Sequence, residues 1–168
     1  PAMDLVIRPD NTAEWRGRRF RCALGRAGIR GDKHEGDGAT PAGATELLRV
    51  LYRADRGPPP ITTLPVAPID PVDGWCDAPG DPRYNRPVRL PYPASAENLW
   101  RADHLYDVIA VTNHNADPVI SGKGSAIFVH LARPDFGPTA GCVAFELTDL
   151  RALLADWRPA DRLRIVAA

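Results

Sequence analysis

Proline distribution is the feature that most restricts the fold of this chain. The sequence contains 18 prolines in 168 residues, and they cluster at 58–60, 65–71 and 79–93. Proline fixes the backbone φ angle and has no amide N–H, so it interrupts helices and central strands. The middle third is therefore predicted to form long extended loops laid over one face of a sheet.

Composition limits the remaining classes. The chain is 44% hydrophobic, enough for one globular domain over residues 1–168 with its own core. It carries 21 basic and 21 acidic residues, so no electrostatic footprint for nucleic acid or an anionic membrane is expected. No stretch approaches the ~18 apolar residues of a transmembrane helix. The predicted partners therefore include neither nucleic acid nor a membrane.

The first residues bear on the compartment. Pro1 and Ala2 precede Met3 and are interpreted as remnants of cloning, and the following residues lack the basic and apolar regions of a signal peptide. We therefore expect a cytoplasmic protein. A periplasmic protein whose signal peptide has been removed would look the same. Three cysteines are too few for a disulfide framework, which agrees with a reducing compartment.

Apolar patterns predict a mostly β fold with one principal α-helix. Strands are expected at 5–7, 19–24, 47–52, 106–112, 125–130 and 162–166. The strands at 106–112 and 125–130 are apolar enough for the centre of a sheet. Residues 25–43 read as a Gly-rich loop. A helix is expected at 147–157, after Cys142, with Thr148 as its N-cap.

The chemistry concentrates in residues 127–144. His130 ends a buried strand, a loop containing Pro and Gly follows, and Thr139-Ala-Gly-Cys142 leads towards the helix. Such a loop can return the thiol to the imidazole, and a neighbouring imidazolium lowers a cysteine pKa. Gly141 leaves room to aim the amides of residues 141 and 142 at a developing oxyanion. The alternative is that Cys142 is a small core residue and His130 a satisfied polar group.

Three segments together resemble a known family. Thr40-Pro-Ala-Gly43, Gly124-Ser-Ala-Ile-Phe-Val-His130 and Thr139-Ala-Gly-Cys142-Val143 are similar to motifs of the L,D-transpeptidase catalytic domain, the YkuD family, over residues 19–166. The resemblance implies a β-sandwich catalytic domain that needs no cofactor. It implies that Cys142 carries the acyl group, that His130 is the general base, and that the backbone carbonyl of Leu131 orients the imidazole.

The resemblance also implies a substrate. It is the bond from the L-centre of a diamino acid to D-alanine in a peptidoglycan stem tetrapeptide, attacked to form a thioester. Ala140 stands where the common motif has histidine, and Ala144 where it has arginine or asparagine. This Thr-x-Gly-Cys variant resembles a branch that contains hydrolases as well as cross-linking enzymes. We expect an L,D-carboxypeptidase that trims recycled muropeptides; the alternatives are an L,D-transpeptidase and an inactive peptide-binding module.

Five residues are predicted to bind substrate. Arg133 is expected to pair with a substrate carboxylate, the alternative being a surface arginine. Thr139 lies in the cysteine motif. His114 and Asn115 follow a strand and are placed at a cleft edge or in a turn before Asp117-Pro118. Tyr84 lies in the Pro-rich segment, which either covers the cleft or is purely structural.

No metal site is predicted. The four histidines, at 34, 104, 114 and 130, show neither His-x-x-x-His nor Cys-x-x-Cys spacing. Cys22 and Cys76 are expected to be inert.

Overall fold

A computed structural model describes residues 1–167, and strands make up most of its regular structure. The first strands are β1 (Asp4–Arg8), β2 (Thr12–Trp15), β3 (Arg18–Arg21), β4 (Ile29–Arg30), β5 (Thr40–Pro41), β6 (Gly43–Thr45) and β7 (Leu47–Tyr52). The middle strands are β8 (Val66–Pro68), β9 (Asp73–Cys76), β10 (Pro87–Arg89) and β11 (Ala96–Asn98). The last elements are β12 (Val108–Thr112), β13 (Phe128–Leu131), β14 (Val143–Phe145), α1 (Leu147–Asp156) and β15 (Arg162–Ile165).

The strands form two five-stranded sheets with two smaller ones. The first large sheet has the order β3-β2-β1-β15-β6, and the second has the order β14-β13-β12-β7-β8. A three-stranded sheet is built from β10-β9-β11, and β4 pairs with β5. The prediction of a mostly β fold with one principal helix is confirmed for residues 1–167. No helix in this part of the chain is long and apolar enough to cross a membrane.

The main core lies between the two large sheets. Alternate residues of β1 and β2, including Leu5, Ile7 and Trp15, join one hydrophobic cluster with Val129 of β13 and Phe145 of β14. Because alternate residues of a strand point to opposite faces, each sheet contributes one face to this sandwich. Leu150, Leu153 and Leu154 of α1 belong to the same cluster.

The second large sheet is buried on both faces. All five residues of β12 are buried; Val108 and Ala110 belong to the main core, whereas Ile109 and Val111 belong to a second cluster. Trp75 of the three-stranded sheet packs in this second cluster. The three-stranded sheet therefore covers the outer face of the second large sheet, which confirms the central position predicted for the strands at 106–112 and 125–130.

The Pro-rich third is more regular than the sequence suggests. It contributes β8 and the whole three-stranded sheet. Pro87 begins β10, which is an edge strand of that sheet, where a missing N–H is tolerated. The middle third is therefore mostly loop, as expected, but it also contains four short strands that the sequence did not predict.

The helix N-cap also differs from the prediction. Glu146, not Thr148, caps α1, because its carboxylate accepts hydrogen bonds from the amides of Thr148 at 2.9 Å and Asp149 at 3.2 Å. An acceptor before the first turn satisfies amides that have no partner within the helix. Thr148 is already the second helical residue.

Candidate active site

Strand alternation places Cys142 and His130 on the same face of the second large sheet. β13 and β14 are parallel, and His130 is in register with Ala144. Cys142 precedes Ala144 by two residues, so it projects to the same side as His130. Their neighbours Val129 and Val143 point the other way, into the main core. The predicted nucleophile and base thus both line one cleft under the three-stranded sheet.

The cleft has a volume of about 250 Å³. Four segments supply most of its walls, and they come from all parts of the fold: residues 33–36, 97–106, 125–131 and 137–144. The fold therefore surrounds the thiol with side chains that are distant in the sequence.

His130 is held by its own strand. Its Nδ1 donates a hydrogen bond of 2.8 Å to the carbonyl of Leu131, the contact that the family resemblance implies. A neutral imidazole with the proton on Nδ1 keeps the lone pair of Nε2 available. The ring of Tyr106 packs edge-on against the imidazole, with ring centroids 5.2 Å apart. Burial lowers the pKa of His130 to about 4, so the ring is neutral at pH 7.

The Cys142 thiol is buried and bonded to backbone. Its Sγ accepts from the amide of Phe128 at 3.3 Å and donates to the carbonyl of Ala126 at 3.1 Å. Burial, followed by the negative charge of Glu97, raises the thiol pKa to about 12. The expectation that an imidazolium lowers this pKa is therefore wrong for the free protein. Cys142 is 8% exposed and His130 is 5% exposed, and desolvation opposes the charged form of each.

Gly141 is required by its backbone conformation and its close packing. Its φ is +146°, and a Cβ atom there would lie 2.8 Å from the carbonyl oxygen of Ala39. The backbone at this position thus approaches another chain segment more closely than any side chain permits.

Thr139 stabilises the loop before Cys142 through two hydrogen bonds. Its hydroxyl accepts from the Gly141 amide at 3.0 Å and donates to the Cys142 carbonyl at 2.7 Å. The Gly141 amide is therefore not available to an oxyanion, contrary to the prediction. The Cys142 amide has no backbone acceptor in residues 1–167 and remains available. Thr139 lines the cleft, with its hydroxyl engaged in the loop.

Arg133 is the predicted carboxylate ligand, and it lies at the cleft wall with an exposed side chain. Arg26 also lies on the cleft wall and is exposed, whereas the other two cations of the lining are paired. Arg101 forms two hydrogen bonds with Asp103, and Lys33 is paired with Asp37 at 2.5 Å. In residues 1–167 Arg133 takes part in no ion pair. Its guanidinium is therefore available for an anionic ligand.

Sequence reasoning missed the acidic residues of the cleft. Glu35, Asp77 and Glu97 all line it. Glu97 accepts a hydrogen bond from the Tyr106 hydroxyl, and Glu35 accepts from Ser125 at 2.6 Å. These residues lie in the Gly-rich loop and the Pro-rich third, where no local pattern marked them. In residues 1–167 no three His, Cys, Asp or Glu side chains converge as metal ligands.

The other three predicted substrate ligands lie outside the cleft lining. Tyr84 is buried and donates to Glu35 at 2.7 Å. The Asn115 side chain donates to the carbonyls of Ile120 at 2.9 Å and Gly124 at 3.1 Å, and the His114 ring bonds the Lys123 carbonyl. These contacts stabilise the loop before β13. The three side chains therefore support that loop and do not line the cleft.

Comparison with known proteins extends the match beyond the motifs. The family model described as the L,D-transpeptidase catalytic domain, YkuD, matches residues 5–165. One similar solved structure is the helical cell shape determining protein Pgp2 from Campylobacter jejuni, at 15% identity and a TM-score of 0.45. The alignment covers 96% of this chain and 46% of that chain, so this chain spans less than half of its length. No curated protein matches the sequence.

Proposed function

Because this chain belongs to the L,D-transpeptidase catalytic domain family, which acts on peptidoglycan, we propose that Cys142 is its acyl-carrying nucleophile and His130 its general base. The substrate is the bond between the L-centre of a diamino acid and D-alanine in a stem tetrapeptide. The observation that carries this proposal is the shared face of β13 and β14, which puts the thiol and the imidazole in one cleft. The hydrogen bond from Nδ1 to Leu131 supports it, because Nε2 is left to accept a proton.

The reaction begins from a neutral thiol and a neutral imidazole. The Sγ proton moves to Nε2 as Sγ attacks the peptide carbonyl, and the carbonyl oxygen becomes an oxyanion. The amide of Cys142, which has no backbone acceptor in residues 1–167, is a donor for that oxygen. Nε2 then gives its proton to the departing D-alanine nitrogen as the C–N bond breaks, leaving a thioester.

We further propose that water is the natural acyl acceptor. Nε2 takes a proton from water, the hydroxyl adds to the thioester carbonyl, and Sγ leaves with that proton, restoring the thiol. Ala140 and Ala144 line the cleft with methyl groups only. Positioning a second reactant is worth a large effective molarity, and a poorly held amine competes badly with water at ~55 M. The protein is then an L,D-carboxypeptidase that releases D-alanine from recycled muropeptides.

The direct test is incubation with a purified disaccharide-tetrapeptide, followed by mass spectrometry. We expect disaccharide-tripeptide and free D-alanine, with only a minor exchanged product in excess D-methionine. Cross-linked dimer or mainly exchanged product would make the enzyme a transpeptidase. Cys142→Ala should be inactive, whereas Cys22→Ala, the matched change at another buried thiol, should stay active. Binding of the peptide without formation of any product would make the protein an inactive binding module.

A further inference from the structure

Glu97 has one carboxylate oxygen without a hydrogen-bond partner among residues 1–167. It lies on β11 of the three-stranded sheet and lines the same cleft as Cys142. Its Oε1 accepts from the Tyr106 hydroxyl. In residues 1–167 its Oε2 has no hydrogen-bond partner, and this atom is not among the side-chain atoms sealed from solvent. A ligand that enters the cleft can therefore reach Oε2.

The negative charge of Glu97 is not matched by an ion pair within the part of the chain that the structure describes. Two cations of the cleft lining are engaged with other carboxylates, since Arg101 bonds Asp103 and Lys33 bonds Asp37. Burial raises the pKa of Glu97, and the charges of Asp77 and Glu35 add to this effect, while Tyr106 and Arg101 oppose it. A partly buried carboxylate without a counter-ion favours a cationic ligand.

Tyr106 connects this carboxylate to the proposed general base, His130. The Tyr106 ring contacts the His130 imidazole, with centroids 5.2 Å apart, and its hydroxyl reaches Glu97. Glu97 and Arg133 thus line the same cleft as the predicted nucleophile, one as an acidic and the other as a basic group. Such a pair of groups suits a substrate that carries both an ammonium and a carboxylate.

We propose that Glu97 is a specificity-determining residue that binds the side-chain ammonium of the amino acid whose carbonyl Cys142 attacks. This inference rests on the proposed function, and it deepens that function by assigning a ligand to the diamino acid of the substrate. It also links binding to chemistry. An ammonium on Glu97 neutralises a negative charge that opposes ionisation of the thiol, so the correct substrate eases its own attack.

Binding to Cys142→Ala tests the recognition without turnover. Two stem tetrapeptides differ only at the third residue, which is lysine in one and Nε-acetyl-lysine in the other. We expect calorimetry to show about tenfold tighter binding of the lysine peptide, the size expected of a charge-assisted hydrogen bond. Adding Glu97→Gln, which keeps an oxygen for Tyr106, should remove this preference. Asp77→Asn, the matched loss of charge on the cleft wall, should keep it.

Two results would overturn the inference: an equal preference with and without Glu97→Gln, or binding of neither peptide. Neither depends on catalysis. Failure to release D-alanine would therefore reject the proposed reaction, while the binding result would still decide the role of Glu97.

Thiol alkylation tests the electrostatic link in the free protein. The charged groups that act on Cys142 are Glu97 and, with opposite sign, Lys33. Glu97→Gln should therefore raise the rate of Cys142 carboxamidomethylation by iodoacetamide at pH 8, read by mass spectrometry of the Cys142 peptide. Asp77→Asn should change it less. An unchanged rate in Glu97→Gln would contradict the link.

Discussion

Burial sets the protonation states of Cys142 and His130. The pKa of the thiol is raised to about 12 and that of the imidazole is lowered to about 4, and desolvation is the largest cause of both shifts. Between these two values the free protein holds a neutral pair. The thiol proton therefore passes to the imidazole only as Sγ attacks the substrate carbonyl.

The low pKa of His130 predicts that the enzyme stays active at acidic pH. The value of kcat/KM should remain level from pH 7 down to about pH 5, because His130 with a pKa of about 4 stays unprotonated there. Below that range the rate should fall as the base is protonated. The measurement is D-alanine release across pH, at substrate concentrations below KM. A half-maximal rate near pH 6.5 would show an imidazole that is not desolvated.

Arg133 gives a second prediction for a single residue. Arg133→Ala should raise KM by about tenfold and change kcat less, because a charge-assisted contact to a substrate carboxylate is lost in ground and transition states alike. Arg26→Ala is the matched control, since Arg26 is also an exposed arginine on the cleft wall. If both variants keep the wild-type KM, Arg133 belongs to the surface.

At the scale of elements, the loop between β13 and β14 depends on Gly141. Gly141→Ala should destabilise the protein by about 1–3 kcal/mol, from a positive φ and a clash with the Ala39 carbonyl, and should remove most activity. Gly43→Ala separates the two causes, because Gly43 has a φ of +124° and no atom within 4 Å of its Cβ position. Urea unfolding and D-alanine release of both variants are the measurements. Equal effects of the two would mean that the close contact contributes nothing.

The start of α1 offers a test of the capping residue. Glu146→Ala should destabilise the protein by about 1 kcal/mol, because two helical amides lose their acceptor. Thr148→Ala should have almost no effect, since Thr148 already lies within the helix. Thermal or urea unfolding measures both. A larger loss from Thr148→Ala would restore the N-cap that the sequence suggests.

Local patterns predicted some elements and missed others for identifiable reasons. The buried strands at β12 and β13 and the helix α1 have apolar runs long enough to show their period. β2 has only four residues, between turn residues Asn11 and Arg16 that have positive φ, so its alternation is too short to detect. The three-stranded sheet was hidden by prolines that an edge strand tolerates.

For the molecule as a whole, one part of the candidate site could be predicted from the sequence and another part could not. Cys142 and His130 lie in one continuous segment whose motifs are visible in the sequence. Glu97 and Glu35 reach the cleft only through sheet packing, from segments that carry no catalytic pattern. Protonation states were also hidden, because burial is a property of the assembled fold. The acidic residues of the cleft and the protonation states of its side chains therefore depend on tertiary contacts, which local sequence patterns do not show.

The buried imidazole makes global stability depend on pH. The pKa of His130 is lowered from 6.5 to about 4 on folding, so the unfolded chain binds the proton more readily between those values. Stability is therefore lost as pH falls through this window. Between pH 7 and pH 4.5 the His130 contribution to the unfolding free energy should fall by about 2 kcal/mol. Urea unfolding of wild type and His130→Gln at both pH values measures it, and an identical fall in both would contradict the assignment.

The parallel pairing of β1 with β15 has a consequence for the order of assembly. Asp4 lies beside Arg162 and Ile7 beside Ile165, so β1 pairs with a strand that follows all the other strands of residues 1–167. On a ribosome, the first large sheet cannot close until β15 has left the exit tunnel. Non-local pairing of this kind slows folding, since loop-closure entropy is lost before the contacts form. This edge of β1 must therefore stay without its strand partner while the segments between β1 and β15 are synthesised.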